Sequence, residues 1–216
     1  MKRVQLFLVS IALTLNLGAC KKDDPANAGD GTPKTREAIE AAFGNNYRIS
    51  YDVESAGQPI YHLFQARCAQ GWATSMTVDD ESQIYFVDEA GKKMYILDPG
   101  KKTGESYPYD PSMTFPDLTE TSAWIYFHLS FVNLSDFKRT DKTETVAGRK
   151  AVVYTLKYAD GDGTFWIDNQ YGFTLKYVQT GSQAQNALVE LTELKIGGVT
   201  VANMVNLSEY KITVGS

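Results

Sequence analysis

The pattern of apolar and polar positions changes period several times along this chain. Residues 4–15 are predominantly apolar and follow Lys2 and Arg3. Residues 21–33 hold no apolar side chain larger than Ala or Pro, so they cannot offset the entropy of being ordered. Ala38, Ile39, Ala42 and Phe43 then recur at helical spacing; Thr35 or Thr32 is placed to cap that helix and Gly44 to stop it. From Tyr47 the period becomes two: Tyr47, Ile49, Tyr51 and Val53 share one face of a strand.

Similar alternating runs follow at about 60–68, 72–78, 83–88 and 93–98, separated by turn signals such as Gln70-Gly71 and Ala90-Gly91. Residues 99–116 are rich in Gly, Pro, Ser and Tyr and read as a long loop with room for a short edge strand. Residues 118–134 carry Trp124, Phe127 and Phe131 among apolar neighbours around most of a helix circumference. Such a helix wants apolar surroundings on nearly every side. A short helical turn at 135–138 precedes strands at 142–147, 150–158, 163–168, 173–180 and 187–196, with a last one at about 203–213. Runs such as Val152-Val153-Tyr154 and Phe165-Trp166-Ile167 put bulk on both faces, which a sheet with one wet face would not do. The expectation is a mainly β (α+β) domain: one strongly curved antiparallel sheet with helices on its concave side.

The first twenty residues carry a different kind of information. A basic start, an apolar run and Leu17-Gly18-Ala19-Cys20 are the layout of a bacterial lipoprotein signal peptide. The run is shorter than the roughly 20 apolar residues that span a bilayer. This predicts a leader at 1–19, a lipidated Cys20 opening a flexible tether at 20–33, and one domain at 34–216; a plain secretory leader is the alternative. The tether has a reach of roughly 20 Å. Its Lys21-Lys22-Asp23-Asp24 resembles a short signal that sends some Gram-negative lipoproteins to the outer face of the outer membrane; an ordinary solvated linker is the alternative.

Charge and composition exclude some functions. The chain carries −5, and loss of Lys2 and Arg3 with the leader leaves 19 basic against 26 acidic residues, a net of −7. No basic cluster remains, so nucleic acid is excluded as a partner. Membrane contact is expected through the acyl chains on Cys20. Cys68 is the other cysteine and, on strand alternation, shares a face with Phe64 and Ala66; it reads as a small buried hydrophobe.

No catalytic constellation stands out. His62 and His128 have no nucleophile at motif spacing, and the nucleophile elbow, P-loop, dinucleotide fingerprint and zincin motif are absent. Asp160-Gly161-Asp162-Gly163 lacks the later oxygen ligands of a calcium loop and reads as a hairpin turn. Asp79-Asp80-Glu81 reads as a solvated turn. Neither a metal nor a cofactor is expected. Aromatic residues make up 12% of the chain, which suits a greasy concave interior, packed or hollow.

Two segments carry a family resemblance. Glu89-Ala90-Gly91-Lys92-Lys93-Met94-Tyr95-Ile96-Leu97-Asp98-Pro99 resembles a strand–turn–strand ending in Asp-Pro. Gly163-Thr164-Phe165-Trp166-Ile167-Asp168 followed by Gly172-Phe173-Thr174-Leu175-Lys176-Tyr177 resembles a Trp-Ile-Asp strand with its turn and successor. With the strand order and the mid-chain insert, they make residues 34–213 similar to the LolA/LolB/LppX-like lipoprotein-localisation superfamily. The resemblance implies a half-barrel of about eleven strands, helices over its concave face, and a cavity for acyl chains of lipids or lipoproteins. It implies Trp124, Phe127, Phe131, Phe165 and Trp166 as cavity lining. Arg67 falls where the soluble carrier has an arginine that holds its lid shut, although Cys68 replaces the proline that follows there. The expected function is thus a non-enzymatic, lipid-anchored envelope lipoprotein of a Gram-negative outer membrane, on its periplasmic face or the cell surface, holding an acyl chain such as palmitate or a similar apolar ligand. The alternative is a cell-surface interaction or structural module with a filled core and an unknown protein partner.

Overall fold

A computed structural model describes residues 29–55, 60–79, 81–110, 134–157, 161–181 and 187–215. Cys20, the leader, most of the tether and the segment 118–133 with Trp124, Phe127 and Phe131 lie outside the described residues.

The chain folds into one open twelve-stranded sheet. Helix α1 spans Arg36–Ala42, and Thr35 caps it by accepting a hydrogen bond from Ala38 N–H. The strands are β1 (Tyr47–Ser55), β2 (Tyr61–Cys68), β3 (Gly71–Val78), β4 (Glu81–Asp88), β5 (Lys93–Asp98) and β6 (Thr103–Pro108). A 3-10 turn at Leu134–Asp136 leads into β7 (Lys138–Val146), β8 (Arg149–Lys157), β9 (Gly161–Asp168), β10 (Thr174–Gly181) and β11 (Ala187–Ile196). A short helix α2 (Val201–Met204) and a 3-10 turn at Leu207–Glu209 precede β12 (Lys211–Val214). The order across the sheet is β12-β6-β5-β4-β3-β2-β1-β11-β10-β9-β8-β7.

Three strands end in an aspartate that shapes the next turn. Asp88 accepts from Gly91 N–H, Asp98 from Lys101 N–H, and Asp168 from the N–H groups of Gln170 and Tyr171. A short carboxylate that bonds its own backbone two or three residues on makes a turn locally favourable. The sequence motifs ending in Asp are turn chemistry in this fold.

The bulk on both strand faces is explained by two cores on opposite sides of the sheet. On one side, here the helix face, Ile39 and Phe43 of α1 pack with Tyr47, Tyr51, Leu63, Val152, Phe165, Phe173 and Val189. On the other, Ala66, Cys68, Ala73, Phe86, Tyr95 and Leu97 pack under Val199, Met204 and Val205. Leu63 and Ala66 belong to one strand and point opposite ways, as alternation requires. Cys68 is buried in this second core with the face-mates the sequence predicts.

The strap 197–210 that builds the second core departs from the sequence reading. It replaces the expected last strand at 203–213 with α2, a 3-10 turn and a shorter β12, and β12 pairs parallel with β6. The strap leaves β11 and passes the five intervening strands to reach β6, so β12 runs alongside it rather than folding back as a hairpin would. Asn46 anchors its start: the side-chain amide donates to Val199 O (2.9 Å) and accepts from Val199 N–H (2.8 Å). Strand β6 lies where the sequence left room for a short strand in the loop, and the described residues form twelve strands against the expected eleven or so.

Residues ahead of α1 make contacts with the sheet. Gly31 N–H donates to Asn169 O, Lys34 N–H to Gly172 O, and Arg139 reaches Asp30 O. Gly31 and Lys34 thus contact the β9–β10 turn and Asp30 contacts β7.

Candidate functional site

The helix face is apolar around α1 and becomes a groove toward β12. Cross-strand register places Leu63 opposite Met76 and Met76 opposite Gln83; Tyr85 stands opposite Ile96 and Ile96 opposite Glu105. These side chains share one face by alternation. Two lobes lie over them, each with a cavity volume of about 550 Å³ and open to solvent. Met76, Val78 and Gln83 line one, Gln83, Ile96 and Thr103 the other, and Asp98 borders both. A lobe of that size falls within the range of small-molecule sites, roughly 300–1,000 Å³.

The rim is polar, with Glu81, Asp98, Lys101, Glu105 and Lys211 among its residues. Lys101 Nζ lies 2.6 Å from Asp98 Oδ2. Hydrogen bonds from the Lys101 side chain, then its backbone, hold the Asp98 carboxyl below its ordinary range, and the same contact raises the Lys101 amine. Glu105 accepts the Tyr107 hydroxyl. Met76, Val78, Ile96 and Leu97 are the apolar part of the lining, with polar groups around them.

Met76 also packs against the helix-face core, so the groove borders the interior. That interior contains polar groups. Gln65 is fully buried and donates from Nε2 to Tyr47 Oη (3.1 Å), and Tyr47 donates to Glu40 Oε1 (2.9 Å). Tyr51 donates to Thr174 O at 2.6 Å, and burial, then the charge of Asp168, push its phenol well above the ordinary range. Among the described residues, Gln65 Oε1 and Thr174 Oγ1 are buried without a hydrogen-bond partner.

Phe165 and Trp166 are adjacent and so project to opposite faces. Phe165 lies in the helix-face core between Tyr177 (centroids 4.5 Å apart) and Phe137 (4.7 Å). Trp166 is partly buried and also packs against that core; its indole donates to Glu144 (2.8 Å) and Lys176 Nζ sits 5.7 Å from its ring. Arg67 closes β2 and reaches Glu89 of the β4–β5 turn at 3.7 Å. His62 pairs with Asp52 at 2.7 Å on the exposed side of β1 and β2.

Gln65, Thr174, Met76, Gln83 and Ile96 escaped the sequence reading. For Gln65 a signal existed: a primary amide at an inward strand position, two residues from Leu63, where the pattern calls for an apolar side chain. Among the described residues no cluster of His, Cys, Asp or Glu is placed to hold a metal, and no helix is long and apolar enough to cross a membrane.

Comparison with known proteins gives distant likenesses. No family model matches the chain, and no curated protein matches it by sequence. Similar solved structures include an uncharacterized conserved protein from Thermus thermophilus, with 9% identity over 83% of this chain and 96% of that one and a TM-score of 0.47. A chain of the Pseudomonas aeruginosa MucA/MucB complex has 14% identity over 82% of this chain and 60% of that one, with a TM-score of 0.47. A LolA superfamily protein from Nitrosomonas europaea has 7% identity over 77% of this chain and 94% of that one, with a TM-score of 0.31. The present chain therefore spans about three fifths of the matched chain from the MucA/MucB complex. With identities this low and TM-scores below 0.5, none of these likenesses assigns a role to a residue.

Proposed function

We propose that this protein is a non-enzymatic lipoprotein of a Gram-negative outer membrane, anchored through Cys20, that holds an acyl chain or a similar apolar ligand on the helix face of its sheet. In this reading the sheet curls into a half-barrel with that face inside and helices over it. The observation that carries the proposal is the groove over β3–β6, open to solvent, with Met76, Val78, Ile96 and Leu97 as its apolar lining and Met76 packed against the core. The lipobox-like Leu17–Cys20 and the family resemblance of the Asp-Pro and Trp-Ile-Asp segments support it.

Apolar burial supplies the affinity. At about 0.8 kcal/mol per methylene, fifteen buried methylenes contribute about 12 kcal/mol, and a cost of association of about 4 kcal/mol leaves about 8, the micromolar range. No directional bond is needed for the tail. The anchor limits where binding takes place: the protein handles ligand within reach of its own membrane.

Native mass spectrometry of the mature protein taken from its own envelope tests the proposal. A co-purifying species of lipid mass, lost on delipidation, is expected. A ligand-free spectrum together with no uptake of an apolar probe contradicts it.

A further inference from the structure

The buried amide of Gln65 has a fixed polarity. The Glu40 carboxylate accepts from the Tyr47 hydroxyl, which uses the one phenolic proton. Tyr47 Oη is then left as an acceptor, so Gln65 must turn its NH₂ toward it. The flipped amide would set Gln65 Oε1 against an oxygen with no proton to give. The relay from Glu40 through Tyr47 therefore leaves Gln65 Oε1 as the free end, an acceptor with no partner among the described residues and no solvent. A buried carbonyl left this way keeps its full desolvation penalty until a donor reaches it.

Register places that acceptor at the inner end of the groove. Gln65 stands opposite Thr74, and Thr74 is two residues from Met76 on the same face of β3, about 7 Å along the strand. Gln65 and Thr74 are buried behind the lobes, so the polar end of a chain lying on Met76 and Ile96 would reach Gln65 only by entering past Thr74.

We propose that Gln65 selects the head group of the ligand. The favoured class is an alkyl or acyl chain whose head presents a proton, as an alcohol or an amide N–H. A free carboxylate is disfavoured, because it sets acceptor against acceptor and buries an unpaired charge. This rests on the ligand-binding reading above and adds to it the chemistry of the head. A site whose buried group needs a particular donor discriminates far more strongly than an apolar pocket does.

The test compares hexadecanamide, hexadecanol and hexadecanoate at pH 8 on the full mature protein and on Gln65→Met, which keeps the volume and removes the acceptor. The wild type is expected to favour the amide and the alcohol over the carboxylate by about tenfold or more, equivalent to about 1.4 kcal/mol. In Gln65→Met that preference falls toward one. A second measurement stands should that variant not fold: the ¹³C signal of the Gln65 side-chain carbonyl in the wild type, expected to shift with hexadecanamide and not with hexadecanoate. Equal binding of the three probes, or a preference unchanged in Gln65→Met, overturns the assignment while leaving the binding function intact. Failure of every probe to bind overturns both.

Discussion

Arg149 Nε lies 2.6 Å from Asp168 Oδ2, and this pair joins the start of β8 to the turn after β9. The Asp168 side chain is 2% exposed, and its other oxygen accepts from Gln170 and Tyr171 N–H. The guanidinium is stacked near Tyr171 (5.3 Å) and Phe173 (5.9 Å). The turn that receives Gly31 and Lys34 is thus held by one carboxylate.

Asp168→Ala removes that carboxylate and leaves Arg149 against aromatic rings without its partner. Breaking a largely buried pair costs about 3 kcal/mol. For a domain of this size the expected fall in Tm is about 10 °C by circular dichroism. A fall under about 2 °C would mean the pair is dispensable.

Ala147 works in the other direction. Ala147 and Gly148 join β7 to β8 with φ values of 49° and 74°, both left-handed, as in a type I′ hairpin turn. Alanine is strained there by about 1 kcal/mol, and asparagine is the favoured residue at the first position. Ala147→Asn is expected to raise Tm by about 2 °C; a lowered Tm would contradict this account of the turn.

The strap has a built-in reporter. Asn46→Ala removes both side-chain hydrogen bonds to Val199, at a cost of about 2 kcal/mol. Cys68 lies buried in the core that the strap completes. Local opening of the strap should then dominate access to the thiol. Its labelling by a maleimide under native conditions is expected to accelerate about tenfold or more in the variant. An unchanged rate would mean Cys68 is reached without moving the strap.

Tyr51 ties stability to alkaline pH. Its folded phenol ionises well above the ordinary 10, first because it is buried and then because Asp168 is negative. A folded value raised above the unfolded one contributes stability that is complete below pH 10 and is lost as pH rises through the folded value. Tyr51→Phe is expected to lower stability at neutral pH by about 1 kcal/mol, through the lost bond to Thr174 O, and to flatten the alkaline decline. An alkaline decline as steep as in the wild type would assign it to another group.

The strands and their turns were legible because their causes are local. Asp88, Asp98 and Asp168 act on N–H groups two or three residues away, and the double-sided bulk of 151–154 foretold a sheet covered on both sides. The strap was hidden because its anchor joins Asn46 to Val199, 153 positions apart, and no period encodes such a contact. Gln65 shows the opposite failure: its position was readable, but its importance depends on Tyr47 and Glu40, which only the fold brings to it.

Titration of a fluorescent acyl probe tests the central claim most directly. The mature protein and Ile96→Glu, which places a charge on the groove floor, should be compared with circular dichroism as the check on folding. The account predicts saturable uptake by the wild type at micromolar probe, weakened about tenfold or more in Ile96→Glu while the sheet signal is retained. No saturable uptake by the wild type, or equal uptake by a folded Ile96→Glu, would contradict it.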